Sequence, residues 1–215
     1  MRKQQRFDLV RFMRFIGITG GVGAGKSLIM DYLSKKPRTA VLYSDRFAGE
    51  LEQPGQACYQ FIKKAFPDPA LYNADGTMNR PAFAALVFKK PAALDTLNSI
   101  VHPAIREAIH FDVAEKRESG EYDFYFLEAA LLIEGGYDRI CDELWVVSAS
   151  IDTRRRRLSE SRGYSSEKID SILSRQESDE VFLSRADRVI HNDGSPEEAY
   201  AQVDRFLAEL SPASE

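Results

Sequence analysis

Residues 20–27 read Gly-Gly-Val-Gly-Ala-Gly-Lys-Ser, and the flanking residues leave this stretch one structural setting. Before it, Phe15-Ile-Gly-Ile-Thr19 is a compact apolar run. After it, Leu28, Ile29, Tyr32 and Leu33 recur at helical spacing, so the segment reads strand, loop, helix. The pattern G-x-x-x-x-G-K-[ST] in that setting is a phosphate-binding loop. Its glycines let the backbone wind close to a nucleotide, so that successive N–H groups and the helix N-terminus converge on phosphate oxygens. Gly21, Val22, Gly23, Ala24, Gly25, Lys26 and Ser27 are therefore the candidate ATP-binding residues. Lys26 supplies a cation to the β- and γ-phosphates, and the Ser27 hydroxyl is a ligand for Mg²⁺. A glycine-rich turn that merely starts a helix shares the pattern, but the strand before it and the helix after it favour phosphate binding. The loop alone does not name a reaction, because a nucleotide switch and a small-molecule kinase both carry it.

The rest of the chain is patterned for a parallel sheet. Thr39–Tyr43 is a second short strand, and Ser44-Asp45 falls at its carboxyl end, where open parallel sheets place their ligand chemistry. Tyr122–Leu127, Glu143–Val147 and Arg188–Ile190 supply further strands, with helical spacing between them. From Arg46 to about Glu118 no stretch is patterned as a buried strand. Phe83, Leu86, Val87, Ile100, Ile105 and Ile109 recur there at helical intervals, Asp75-Gly76 marks a turn, and Asn79-Arg80-Pro81 reads as a helix start. The expected fold is α/β, with a five-stranded parallel sheet flanked by helices. Its parts are a nucleotide-binding core at 13–45 and 119–210, a helical region at 46–118, and loose ends at 1–12 and 211–215.

Composition narrows the partners. The 215 residues are 44% hydrophobic, enough for a sizeable core, and 29 basic against 33 acidic side chains give a net charge of −4. That balance argues against a general nucleic-acid binder. No apolar run approaches the roughly 20 residues that span a bilayer, so no membrane association is expected. Cys58 and Cys141 lie far apart without zinc-site spacing, and two free thiols fit a reducing cytoplasm. The basic opening stretch lacks the features of a secretory signal, and Met13, just before the first strand, is an alternative start of translation.

Two features separate a kinase from a switch. The Asn-Lys-x-Asp segment of guanine-specific switches is absent, and the run Arg154–Arg157, followed by Arg162 and Gly163, suits an arginine-bearing lid at 152–165. A run of four arginines on a helix points several ways, so about half of it is expected to be a solvated face. Asp45 suits two roles that are compatible: capping the helix that follows, or accepting a proton from an attacking hydroxyl and holding Mg²⁺ through water.

The distributed residues resemble the dephospho-coenzyme A kinase family from Phe15 to Leu210. The resemblance rests on Ile18–Ser27, Asp45 with Ala48 and Glu50-Leu51, Asn79-Arg80, Ile100-Val-His-Pro-Ala-Ile-Arg106, Ala130-Leu-Leu-Ile-Glu134, Gln176, and Ala186-Asp187 with Asn192 and Gly194. It implies transfer of the γ-phosphate of ATP to the ribose 3′-hydroxyl of dephospho-coenzyme A, with Mg²⁺. It also implies Asp45 as general base, Arg157 and Arg162 as lid residues on phosphate, and His102 and Arg106 as acceptor-binding residues. By itself, a histidine ahead of Pro103 at a helix start is more often a capping or packing group. Two departures stand out: Tyr43-Ser44-Asp45 replaces the usual Asp-Ala-Asp, and Ala130 replaces a common proline. Glu128 either compensates for the lost carboxylate or is a surface residue, and Asn192–Ser195 either approach the adenine or form a plain turn. A nucleoside or nucleotide kinase of the same fold, or a nucleotide-dependent binding protein without phosphotransfer, are the alternatives.

Overall fold

The computed structural model describes residues 13–129, 132, 133 and 135–211. Five strands, β1 (Arg14–Thr19), β2 (Thr39–Tyr43), β3 (Phe124–Glu128), β4 (Glu143–Ser148) and β5 (Arg188–His191), form one sheet in the order β2-β3-β1-β4-β5. All pairings are parallel. β3 begins later than its apolar pattern suggests because Asp123 is held outside it, accepting Arg38 Nε and Nη2 at 3.0 Å each.

Alternating strand residues fill two cores, as a sheet covered on both faces requires. On one face Ile16, Ile18, Phe126, Trp145 and Ile190 pack against α1 (Lys26–Leu33) and α9 (Pro196–Leu210) through Ile29, Met30, Leu33, Val203 and Phe206. Trp145 is central there, with its ring 5.3 Å from Phe126 and 5.4 Å from Phe206. On the other face Phe15, Tyr125, Leu127 and Val146 meet Ile105, Ile109 and Val113 of α5 (Pro91–Ser119).

Between β2 and β3 the chain forms α2 (Ser44–Leu51), α3 (Ala57–Ala65), α4 (Arg80–Lys89) and α5, with an isolated antiparallel bridge Tyr72–Met78 around the Asp75-Gly76 turn. Asn79 caps α4 by accepting from Ala82 N–H at 3.2 Å. A third core of Cys58, Ile62, Phe66, Leu71 and Phe83 packs on Leu97 and Ile100 of α5. The sequence places Pro103 at a helix start; it lies instead inside the 29-residue α5. Pro103 is on the exposed side of the helix, where solvent can satisfy the carbonyl that its missing N–H leaves free. After β4 come α6 (Ile151–Arg162), α7 (Ser166–Leu173) and α8 (Asp179–Arg185), and Gly163 ends α6 in the left-handed conformation, φ 62°. Residues 1–12 and 212–215, and Ala130, Leu131 and Glu134 of the sequence motif, lie outside the described residues.

Candidate active site

The loop after β1 rises at the carboxyl edge of the sheet, with β3 and β4 on either side. Gly20 must be glycine twice over: its φ is 137°, and a Cβ there would stand 2.2 Å from the Val147 carbonyl oxygen. Gly25 takes the left-handed conformation, φ 102°, at the N-cap of α1, which turns the chain into the helix with Lys26 and Ser27 in its first turn. Lys26 Nζ folds back on the loop, donating to Gly20 O at 2.7 Å and Gly21 O at 3.3 Å. Burial pushes the Lys26 ammonium below its ordinary value, and Glu128 draws it back up. Glu128, at the end of β3, has its carboxyl raised by burial, with Lys26 opposing the shift. The cleft therefore holds a partly desolvated cation and a partly desolvated carboxyl whose charges act on each other.

A hollow of about 600 Å³ opens over the loop and is lined by Lys26, Ser27, Asp45, Glu128, Arg157 and Arg162 among others. Both arginines singled out in the sequence thus face the hollow. Arg157 Nη1 also donates to Ala24 O at 3.3 Å, an oxygen shared with buried Asn192 Nδ2 at 2.7 Å. Other members of the run point elsewhere: Arg155 pairs with Asp170 on the exposed side, and Arg154 turns inward beneath the loop.

Asp45 is not the cap of α2. The N-cap is Tyr43, with extended backbone and no side-chain cap, so Asp45 sits inside the first turn. Its exposed carboxylate lines the hollow over the loop. A second hollow, of about 150 Å³, is lined by Ser44, Asp45, Ala48, His102, Ile105, Ala129 and Tyr137. Asp45 borders both. Arg106 is held beside this second hollow, donating to Gly135 O at 2.5 Å with its guanidinium 5.8 Å from the Tyr137 ring centroid.

Tyr43, in place of a carboxylate, donates its hydroxyl to Asp31 Oδ1 at 3.1 Å, and the Arg46 guanidinium lies 4.5 Å from its ring centroid. The neighbouring strand presents Glu128 in register with Tyr43, so a carboxylate still reaches the cleft, one strand over.

The dephospho-CoA kinase family model matches residues 14–198. The chain belongs to the dephospho-CoA kinase family. A dephospho-CoA kinase of Corynebacterium efficiens is 37% identical over 195 residues, which cover 91% of this chain and 96% of that one. The crystal structure of TT1252 from Thermus thermophilus superposes with a TM-score of 0.74 at 29% identity, over 94% of this chain and all (100%) of that one. A dephospho-CoA kinase structure from Campylobacter jejuni gives a TM-score of 0.69 at 20% identity, over 91% of this chain and 96% of that chain, a likeness of fold. Membership makes this chain a kinase of coenzyme A biosynthesis with a nucleotide substrate. Among the described residues no helix is long and apolar enough to cross a membrane.

Proposed function

We propose that the protein transfers the γ-phosphoryl group of ATP to the ribose 3′-hydroxyl of dephospho-coenzyme A, giving coenzyme A and ADP in the cytoplasm. One observation carries the reading: Asp45 is shared by the hollow over the phosphate loop and the hollow beside His102. A carboxylate at that junction stands between a donor phosphate on one side and an acceptor hydroxyl on the other. It is placed to accept the hydroxyl proton as the oxygen–phosphorus bond forms and the bond to the ADP oxygen breaks.

In this reading Lys26 and the loop amides hold the β- and γ-phosphates, and Arg157 and Arg162 stabilise the charge spread over the transferring group. Residues 46–118 form the acceptor-binding region, with His102 lining it and Arg106 at its edge, and 152–165 act as the lid. The Ser27 hydroxyl, with Glu128 lining the same hollow and Asp45 reaching through water, fits Mg²⁺, a hard cation that takes one or two protein oxygens together with phosphates and water. Among the described residues no three His, Cys, Asp or Glu side chains gather as a dedicated metal cage, which suits a metal that arrives with its nucleotide. Bound there, Mg²⁺ would neutralise charge on the phosphates.

The test is an acceptor panel with ATP and Mg²⁺, read by chromatography of the products. Dephospho-coenzyme A should become coenzyme A with one ADP per turnover. Phosphorylation of a nucleoside but not of dephospho-coenzyme A would reject this acceptor. Slow ADP release with no phosphorylated product would mark a nucleotide-dependent binding protein.

A further inference from the structure

Arg154 is not one of the arginines that the sequence singles out, and it is the most buried of the run. Its side chain is 5% exposed, and its guanidinium is fully engaged on three sides. Nε donates to Val22 O at 2.9 Å, Nη1 to Asp179 Oδ1 at 2.9 Å and Nη2 to Gln176 Oε1 at 2.8 Å. The same Gln176 oxygen accepts the Val22 N–H at 3.0 Å. Both polar groups of Val22 are thereby held by side chains that lie 132 and 154 residues further along the chain. Val22 lines the hollow where ATP would lie, but Arg154, Gln176 and Asp179 do not.

Gly21 belongs to the same arrangement. It is not among the glycines with positive φ, so its backbone does not demand glycine. A Cβ on it would stand 2.3 Å from Arg154 Nη2 and 2.4 Å from Cζ. A free arginine tip would swing aside, but this one is tied at three points and buried, and displacing it would strand a buried charge.

We propose that Arg154 is a positioning residue for the phosphate loop, and that Gly21 is glycine in order to seat the Arg154 guanidinium against the underside of that loop. Through Gln176 and Asp179 it fixes the Val22 peptide, so that the amides from Gly23 to Ser27 are aimed before ATP arrives. This inference rests on the ATP reading and adds which side chain makes the loop rigid.

The experiment is a double-mutant cycle on full-length protein, read as the Kd for ATP and as separate KM values for ATP and acceptor. Gly21→Ala alone should weaken ATP binding about tenfold or more. In the Arg154→Ala background the same change should cost less than about threefold, because the space is already open. Arg154→Ala and Arg154→Lys should each raise KM for ATP about tenfold, with KM for the acceptor within about twofold, since a lysine keeps the charge but not the fork. Equal penalties for Gly21→Ala in both backgrounds would overturn the proposal, as would wild-type ATP affinity in the Arg154 variants. Should Arg154→Ala fail to fold, the cycle is run with Arg154→Lys. Asp179→Ala then provides a second reading: its carboxylate is 45% exposed, its loss removes the acceptor of Arg154 Nη1, and unchanged ATP affinity in that folded variant would equally overturn the idea. Wild-type protein that binds no ATP would instead overturn the nucleotide reading on which the proposal rests.

Discussion

Asp45→Asn separates the chemistry of this site from its architecture. Asp45 is exposed in the first turn of α2, and its carboxylate makes no hydrogen bond or ion pair with another described residue. What the fold loses is the attraction of a negative charge to the helix N-terminus, about 0.3–1 kcal/mol. At about 2–4 °C per kcal/mol for a chain of this size, Tm should fall by no more than about 4 °C. Asparagine keeps the shape but cannot take a proton. A positioned general base contributes about 10²–10⁴ in rate, so kcat should drop by that factor, roughly 3–5 kcal/mol of barrier. ATP binding should barely change, since Asp45 is the smallest of the named influences on Lys26. The assay is steady-state turnover with both substrates varied, beside a melting curve. A kcat within about threefold of wild type would refute the base assignment, and a KM for ATP that rose as much as kcat fell would place Asp45 in nucleotide binding instead.

Glu128→Gln should raise Tm and lower kcat in the same protein. Because burial raises the folded carboxyl pKa above its unfolded value, the native state binds more protons in between, and stability falls as pH rises through that window. The gain in Tm from glutamine should therefore be full at neutral and alkaline pH and vanish as pH falls through the carboxylate range; a gain that grew on acidification would contradict the burial argument. Arg162→Ala should lower kcat on the order of 10²-fold, whereas Arg155→Ala, which loses a surface pair with Asp170, should leave it within about twofold. His102→Ala should raise KM for the acceptor by about tenfold and leave KM for ATP unchanged; the reverse pattern would remove His102 from the acceptor hollow.

The sheet was legible because its strands are short apolar runs ending in glycine or in a polar residue with a reason to be there, as at Thr19 and Glu128. The loop was legible because eight consecutive residues (20–27) carry it. The arginine run was legible only in part: helical geometry says that four neighbours diverge, but not which turns inward. Arg154 was hidden because its partners Gln176 and Asp179 come from a later segment, and only the tertiary fold brings them under Val22. The cap expected at Asp45 failed because a short strand ran directly into the helix, leaving Tyr43 at the N-cap. Pro103 misled for a related reason: proline marks a helix start by its missing N–H, but on the exposed side of a long helix the gap is tolerated.

The span of α5 bears on how such an enzyme can be re-engineered. One continuous helix supplies Leu97 and Ile100 to the third core and Ile105, Ile109 and Val113 to the sheet, with His102 between them. Residues 46–118 are therefore not a cassette. A chimera that imported them from another kinase to change its acceptor would also replace much of the cover on one face of the sheet. Retargeting has to proceed by point changes around His102, Ala48 and Tyr137, with the buried stripe of α5 kept native.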